Sequence, residues 1–407
     1  MIWSIAWRNV WRNKLRSFII LCAVAIGLFG TLFIIALDKG MVVQREEAAI
    51  NTEISHIQIH NPLFLQDNSI KYDIPDATAK VKDIEKVVGV KAVTARLVVT
   101  AMASTATTGT GVTIIGINPD MEKKVTKLHE DVIEGSYFDK ESRTPQIVVG
   151  EKLATKLGAR LGSKIVLTLT NTQGVLTYAL FRVGGIYKTS NTMYNEANAF
   201  VRTSDLAPLL GFNTENATEI AVLLDNTGET DRITDLLKNE FKDLSVQSWK
   251  TIQPMLVTLS AIMDEFSYLM MIIILIAMAF GIINTMLMAI LERVREIGML
   301  MAVGMNRRRV AIMITLETVF LSVTGAVIGM AVSYVTIRLT GTHGLNFAAV
   351  AQGFEAYGYS ALIYPMLNRL DYIVLFVLVI MTALISSVYP VHKALRFKPA
   401  EAIRTDT

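Results

Sequence analysis

Residues 291–309 read LERVREIGMLMAVGMNRRR, and the fold of the whole chain is read outward from them. The stretch lies between two long apolar runs, which makes it a short connection at a membrane face. Glu292, Arg293, Arg295 and Glu296 are charged, whereas Val294, Ile297 and Met301 recur at spacings of three and four, one stripe of a helix. Gly298 sits on the packed face of that helix. Gly304 and Asn306 then supply a helix stop and a turn. Three consecutive arginines at 307–309 precede the next apolar run. The spacing predicts a small amphipathic helix held out of the bilayer, with apolar residues to dock and charges to orient the docking. The alternative is a charged loop that only fixes topology.

The chain has 407 residues, of which 52% are hydrophobic, and a mean hydropathy of +0.43. That is too apolar for a soluble enzyme of this size and too polar for an all-membrane transporter. The excess is concentrated in four runs, at 18–37, 266–290, 310–338 and 372–391, each near the roughly 20 residues that cross a bilayer as a helix. The expected fold class is a four-span α-helical membrane protein with a large mixed α/β extracytoplasmic domain between spans 1 and 2. Its parts are an interfacial helix and span 1 (1–37), the large domain (38–265), span 2 (266–290), the short amphipathic helix and turn (291–309), span 3 (310–338), a short outer loop (339–371), span 4 (372–391) and a tail (392–407). Residues 247–263 are also helix-compatible and would extend the second span as a rigid stalk.

Residues 1–16 are amphipathic, with Trp3, Trp7, Val10 and Trp11 near one helical face and Arg8, Arg12, Lys14 and Arg16 elsewhere. Indole rings favour the headgroup layer and basic residues favour anionic lipid, so a helix lying on the membrane is expected. The alternative is the n-region of a signal peptide. The apolar run that follows is longer than a usual signal core and lacks a small-x-small cleavage site, which favours an uncleaved anchor. Topology follows from basic residues. Segment 1–16 holds four Arg/Lys and no acid, 291–309 five against two Glu, and 391–407 four against two acids, whereas 339–371 holds one Arg against two acids. The three basic segments, including both termini, are therefore expected in the cytoplasm and the large domain outside.

Within the large domain, strands are expected at 53–60, 92–102, 112–117, 145–150, 164–170, 176–183 and 220–224. Helices are expected at 78–88, 151–157 and 230–241. Interleaving of the two makes this a mixed domain.

Little in the sequence points to chemistry. No G-x-x-x-x-G-K-[ST], H-E-x-x-H or G-x-S-x-G motif occurs, so neither a P-loop nor a familiar hydrolase is present in these residues. His56 and His60 are four apart, but in an alternating strand that is about 13 Å, too far for a shared metal. The single cysteine, Cys22, can form no intrachain disulfide, and a net charge of +3 argues against a nucleic-acid partner. No cofactor and no metal are expected on this chain. Glu317 is the one acid inside a span, about two turns from Arg309, where such a residue usually faces protein or water. It either makes a polar contact in the bundle or snorkels to the interface. Gly325 and Gly329 form G-x-x-x-G in the third span, and Ala23 and Gly27 a small pair in the first. Both allow close helix packing, within one subunit or between two.

The quoted stretch also resembles a known pattern. ERVREIGMLMAVGMNRRRV at 292–310 is similar to the coupling segment of FtsX/MacB/LolCE-type ABC permeases. HIQIHNP (56–62), IIGINP (114–119), EGSYF (134–138), VVGEKLATKLGARLGSKIVL (148–167) and FRVGGIY (181–187) resemble the outer domain of the MacB/LolCE branches, and YPVHKALRFKPAEAIR (389–404) resembles the family's C-terminal motif. The HIQI-type start is closer to the lipoprotein-releasing branch. The resemblance implies a bacterial inner-membrane permease that is not itself catalytic. A separate cytoplasmic ATPase would bind the ATP and Mg and contact Glu292, Arg293, Arg295, Glu296, Ile297, Gly298, Met301 and Gly304. It also implies a second permease copy or paralogue, and work done outside the membrane by mechanical transmission. Extraction of lipoproteins toward a periplasmic acceptor is the leading expectation, ahead of drug or peptide export and regulation of cell-wall hydrolases. A sensor without an ATPase is the alternative from a different class, and the coupling segment speaks against it.

Overall fold

The computed structural model describes residues 2–12, 14–138 and 144–396; most of the expected tail, with its turn at Pro399, lies outside the described residues. The chain divides into two compact units. One comprises residues 1–42, 260–346 and 362–407, the other residues 43–259 and 347–361.

Among the described residues, four helices are long and apolar enough to cross a membrane. Their cores are the four apolar runs, and each helix continues past its run. Lys14–Ala48 contains the first, Pro254–Glu292 the second, Arg307–His343 the third and Arg369–Leu395 the fourth. The second helix has 39 residues, about 58 Å at 1.5 Å each, well beyond the roughly 30 Å of a hydrocarbon core. It opens at Pro254, a residue suited to a first helical position because its missing N–H would be unpaired there anyway. The fourth opens on a capping box between Asn368 and Asp371.

Leu21, Val24, Leu28 and Leu32 follow helical spacing and are buried against Val310, Ile314, Leu321, Leu375 and Val379. Gly325 and Gly329 pack against the first span. A Cβ on Gly325 would fall 2.9 Å from the Val24 Cβ, and one on Gly329 would fall 2.7 Å from the Ala25 carbonyl oxygen. The small residues thus serve contact within the chain. Ala23 and Gly27 are not their counterparts: Ala23 is exposed, and the nearest side-chain atom to a Cβ on Gly27 belongs to Ile274. Beyond the apolar core, Lys39 donates to Asp371 at 2.6 Å and Ser267 donates to Asp38, tying three of the helices together through polar groups.

The second unit is built on ten strands: β1 (Ile57–His60), β2 (Val90–Ser104), β3 (Gly109–Ile117), β4 (Val132–Gly135), β5 (Gln146–Gly150), β6 (Lys164–Thr170), β7 (Leu176–Tyr187), β8 (Asn198–Arg202), β9 (Glu219–Leu224) and β10 (Ser245–Ser248). They run in the order β10-β1-β9-β2-β3-β8-β5-β7-β4, with β6 joining β2 to β7. The long β2 serves twice. Residues 90–96 pair with β9 and residues 97–104 with β3 and β6. Its first half completes a four-stranded antiparallel sheet with β9, β1 and β10. Helices Ala77–Ile84 and Thr230–Glu240 cover one face of that sheet through Val81, Ile84, Ile233 and Leu237. Its second half closes a six-stranded barrel, β2-β3-β8-β5-β7-β6 and back to β2. Alternation fills the barrel: Ile114, Ile147, Val149, Ala199 and Val201 point inward. Ile115, Val148 and Phe200 point outward under Leu128, Phe138 and Tyr187.

The mixed domain expected between spans 1 and 2 is therefore present, with several differences in detail. The strand expected at 53–60 begins only at Ile57, because Ala49–Ile54 winds as a turn of π-helix continuing the first-span helix. Strands β4, β8 and β10 were not foreseen. Strand β8 has only five residues, and its Ala199, Phe200 and Val201 are buried on both faces, so no alternation marks it. Residues 347–361, between the third and fourth spans, fold with this second unit.

Candidate functional site

The segment between spans 2 and 3 does form a short helix, Val294–Ala302. Its end is a Schellman motif. The Gly304 N–H donates to the Met301 carbonyl at 3.1 Å and the Met305 N–H to that of Leu300 at 3.0 Å. Gly304 has φ +100°, which a side chain would strain. Asn306 caps the third-span helix by accepting from the Arg308 N–H at 3.2 Å.

Arg293 stands at the N-cap and organises the site. Its guanidinium donates to Glu317 at 3.0 Å and to the Asn9 carbonyl at 3.4 Å. Both side chains of the Arg293–Glu317 pair are mostly buried, at 15% and 12% exposure. Glu317 thus makes a polar contact in the bundle rather than snorkelling to the interface. Glu296, one turn along, accepts two bonds from the Arg12 guanidinium, one of them at 3.1 Å. That hydrogen bond, backed by the carboxylate's charge, raises the Arg12 pKa further above its ordinary value. Trp3 and Trp7 of the N-terminal helix, Ile2–Arg12, meet Phe320 edge-on, and Val10 is buried. The N-terminal helix, the short helix and the third span therefore form one packed assembly. A cavity of about 40 Å³ lies beside Asn9, Arg293, Glu296 and Glu317.

Packing divides the remaining residues of the expected coupling set. Ile297 and Gly298 are buried and Met301 packs on the membrane core, so the apolar stripe docks on the chain's own bundle. The residues expected to meet a partner are, in these three cases, engaged within this chain. Glu292, Arg295 and Gly304 are exposed, as are Met299 and Val303, the last at 89%. Met299 and Val303, four residues apart on the outward face, are what the sequence reading missed. The available signal was two apolar residues on the side of the helix that carries Arg295.

A second concentration of buried polar groups lies in the inter-span domain. Arg45 donates to Glu53 at 3.0 Å, and both are almost fully buried. Glu53 also accepts from Asn191 Nδ2 at 3.0 Å and from Gln253 Nε2 at 3.3 Å. Gly358 lies against the guanidinium, where a Cβ would come 2.5 Å from Arg45 Nε, and its carbonyl accepts from Ser190. One carboxylate thereby gathers the end of the first-span helix, the 189–195 loop and the residue before Pro254. Ser55, which follows the π-turn, is buried with φ +65°, a conformation costly for a residue with a side chain.

The two histidines go separate ways. His56 accepts from the Leu224 N–H through Nδ1, at 3.1 Å, and its Nε2 lies 3.0 Å from Thr227 Oγ1. His60 contacts the Thr218 carbonyl and Gln58. No cluster of three metal-ligating side chains occurs among the described residues.

Two family models account for most of this arrangement. The MacB-like periplasmic core domain matches residues 17–240 and the FtsX-like permease C-terminal matches residues 268–399. The chain is an ABC transporter permease of this family. Among its relatives is the lipoprotein-releasing system transmembrane protein LolC of Neisseria meningitidis, 23% identical over 97% of this chain and 95% of the relative. The pyoverdine export ATP-binding/permease protein PvdT of Pseudomonas fluorescens is 22% identical over 98% of this chain and 59% of the relative. The macrolide export ATP-binding/permease protein MacB of Escherichia coli is 30% identical over 34% of this chain and 20% of the relative. Within this permease the Val294–Ala302 helix lies between the second and third spans, and the inter-span domain lies between the first two.

Proposed function

We propose that this permease works with a separate ATPase subunit and a second permease copy or paralogue to extract lipoproteins from the bacterial inner membrane toward a periplasmic acceptor. The observation that carries this reading is the similarity to LolC over nearly the whole of both chains. The positive-inside pattern supports cytoplasmic termini and a periplasmic inter-span domain. ATP and Mg belong to the ATPase, and this chain contributes no catalytic group.

The exposed face of the short helix, with Glu292, Arg295, Met299, Val303 and Gly304, is the surface offered to the ATPase. Arg293 then passes its displacement to the third span through Glu317. The uninterrupted second helix carries motion outward to the Gln253–Glu53 contact. Four spans leave little material for a pore, which favours work on the outer side over alternating access.

The test is lipoprotein release from proteoliposomes holding this chain and its candidate ATPase, with a soluble periplasmic acceptor. ATP-dependent transfer is expected, with Glu317→Gln hydrolysing ATP but releasing less lipoprotein. ATPase activity that depends on this chain without any transfer would move the reading to export. Export is the second reading, favoured by the whole-chain match to PvdT. Unchanged coupling in Glu317→Gln would remove Glu317 from the mechanism.

A further inference from the structure

The third- and fourth-span helices run antiparallel. Thr315 Oγ1 lies 3.4 Å from Ser387 Oγ toward one end, and the rings of Tyr334 and Tyr372 meet edge-on at 6.4 Å toward the other, away from the Val294–Ala302 helix. Between residues 310 and 392 the only Lys or Arg side chains are Arg338 and Arg369. Arg338 closes the apolar run of the third span, and Arg369 opens the fourth-span helix. Arg338 comes one helical turn after Tyr334, and Arg369 nearly one turn before Tyr372. In an antiparallel pair both steps lead the same way, by about 6 and about 4.5 Å at 1.5 Å per residue. At roughly 100° per residue they also turn about 40° and about 60° from the tyrosines, toward the same side of the pair. The two guanidiniums are thus placed at one level on one face.

Their charge is unanswered. Arg338 donates to the Tyr334 hydroxyl at 3.3 Å, and neither arginine forms an ion pair among the described residues. The nearest acid in sequence, Asp371, accepts from Lys39 at 2.6 Å and from the Asn368 N–H at 2.9 Å. Both arginines are exposed. So are Val335, Ile373 and Val377, which follow them at helical spacing along the apolar run. This end of the spans is otherwise poor in basic residues, so positive charge here does not serve topology. Tyrosines mark the headgroup layer, where a guanidinium can bind a phosphate through two hydrogen bonds. Two cations without an acid favour a headgroup of net negative charge over a zwitterion, whose own cation they would repel.

We propose that Arg338 and Arg369 together hold the headgroup of one anionic phospholipid, with its acyl chains over Val335, Ile373 and Val377. The site stands apart from the coupling segment and does not depend on what the permease transports.

The probe is a phosphatidylglycerol carrying a diazirine in one acyl chain. It is photolysed with the full-length chain in phosphatidylcholine nanodiscs, and the labelled peptides are mapped by mass spectrometry. Label is expected to concentrate on peptides holding residues 332–341 and 369–378. It should fall about tenfold in the double variant Arg338→Gln/Arg369→Gln and with the phosphatidylcholine form of the probe. Arg338→Lys/Arg369→Lys keeps the charge and should retain most of the label. Unchanged background labelling of residues 18–37 would verify that both variants fold. Label spread evenly over the spans, or indifferent to the glutamine variant, would overturn the site. Equal labelling by the phosphatidylcholine form would overturn the anionic class. Displacement by inorganic phosphate as readily as by unlabelled phosphatidylglycerol would overturn the lipid in favour of a free anion.

Discussion

Charge is handled in opposite ways in two regions of this permease. In the inter-span domain, Arg96 is almost fully buried and held by two carboxylates, with Thr126 also donating to Glu122. Burial opposes the guanidinium's charge, and the fields of Glu122 and Glu219 overcome it, so its pKa is raised. Around the Val294–Ala302 helix, Arg12 and Glu296 are solvent-exposed, and the more buried Arg293 has a carboxylate on one side and only a backbone carbonyl on the other. The first arrangement has no alternative partner and holds a strand crossing rigid. The second can exchange partners with water at small cost.

Mutations can break this contrast. Arg96→Met leaves two carboxylates buried without a cation, and should cost about 3–5 kcal/mol of domain stability, measured by urea pulse proteolysis in nanodiscs. Adding Glu122→Leu and Glu219→Leu should recover most of the loss; no recovery would mean that Arg96 acts through packing. Glu53→Gln removes the ion pair with Arg45 but keeps a carbonyl for Asn191. A loss of about 2 kcal/mol is expected, and protease sensitivity should rise first near 189–195 and 253.

A third experiment sharpens the comparison through pH. Burial, aided by Lys91, pushes the His56 pKa down to about 4, and its Nδ1 must stay unprotonated to accept from Leu224. The unfolded chain binds a proton at the ordinary value near 6.5 that the folded chain refuses. This contribution to stability is therefore complete above pH 6.5, declines as the pH falls toward 4, and is flat below. The loss should be on the order of 3 kcal/mol. His56→Asn, whose side-chain oxygen still accepts from Leu224, should flatten the dependence between pH 6.5 and 4. The smallest effect belongs to the coupling region: Arg12→Gln should leave the thermal midpoint unchanged, because its pair with Glu296 is exposed. A midpoint lowered by several degrees would show that the exposed pair is as constraining as the buried ones.

Much of this architecture was legible before any coordinates. The spans announce themselves because a helix crossing lipid must be apolar along about 20 residues. The short helix was legible for a related reason, since Val294, Ile297 and Met301 keep helical spacing and Gly304 ends it. Which way that stripe faces was not legible. Periodicity reports that one face is apolar, not whether the chain's own bundle or a partner covers it. In the domain, β6 and β7 alternate visibly, whereas β8 is buried on both sides and carries no period.

The sequence by itself determined the number of spans, the helical character of residues 294–302 and the mixed composition of the inter-span domain. These follow from local patterns of polarity that each segment carries alone. Only the tertiary structure decided that β2 belongs to both a sheet and a barrel, that Glu317 answers Arg293, and that Glu53 draws together Arg45, Asn191 and Gln253. Those are pairings between residues 24 to 200 positions apart, apart from the Arg45–Glu53 pair. A buried charge must find a partner, but nothing in the local sequence says which one the fold will bring within reach.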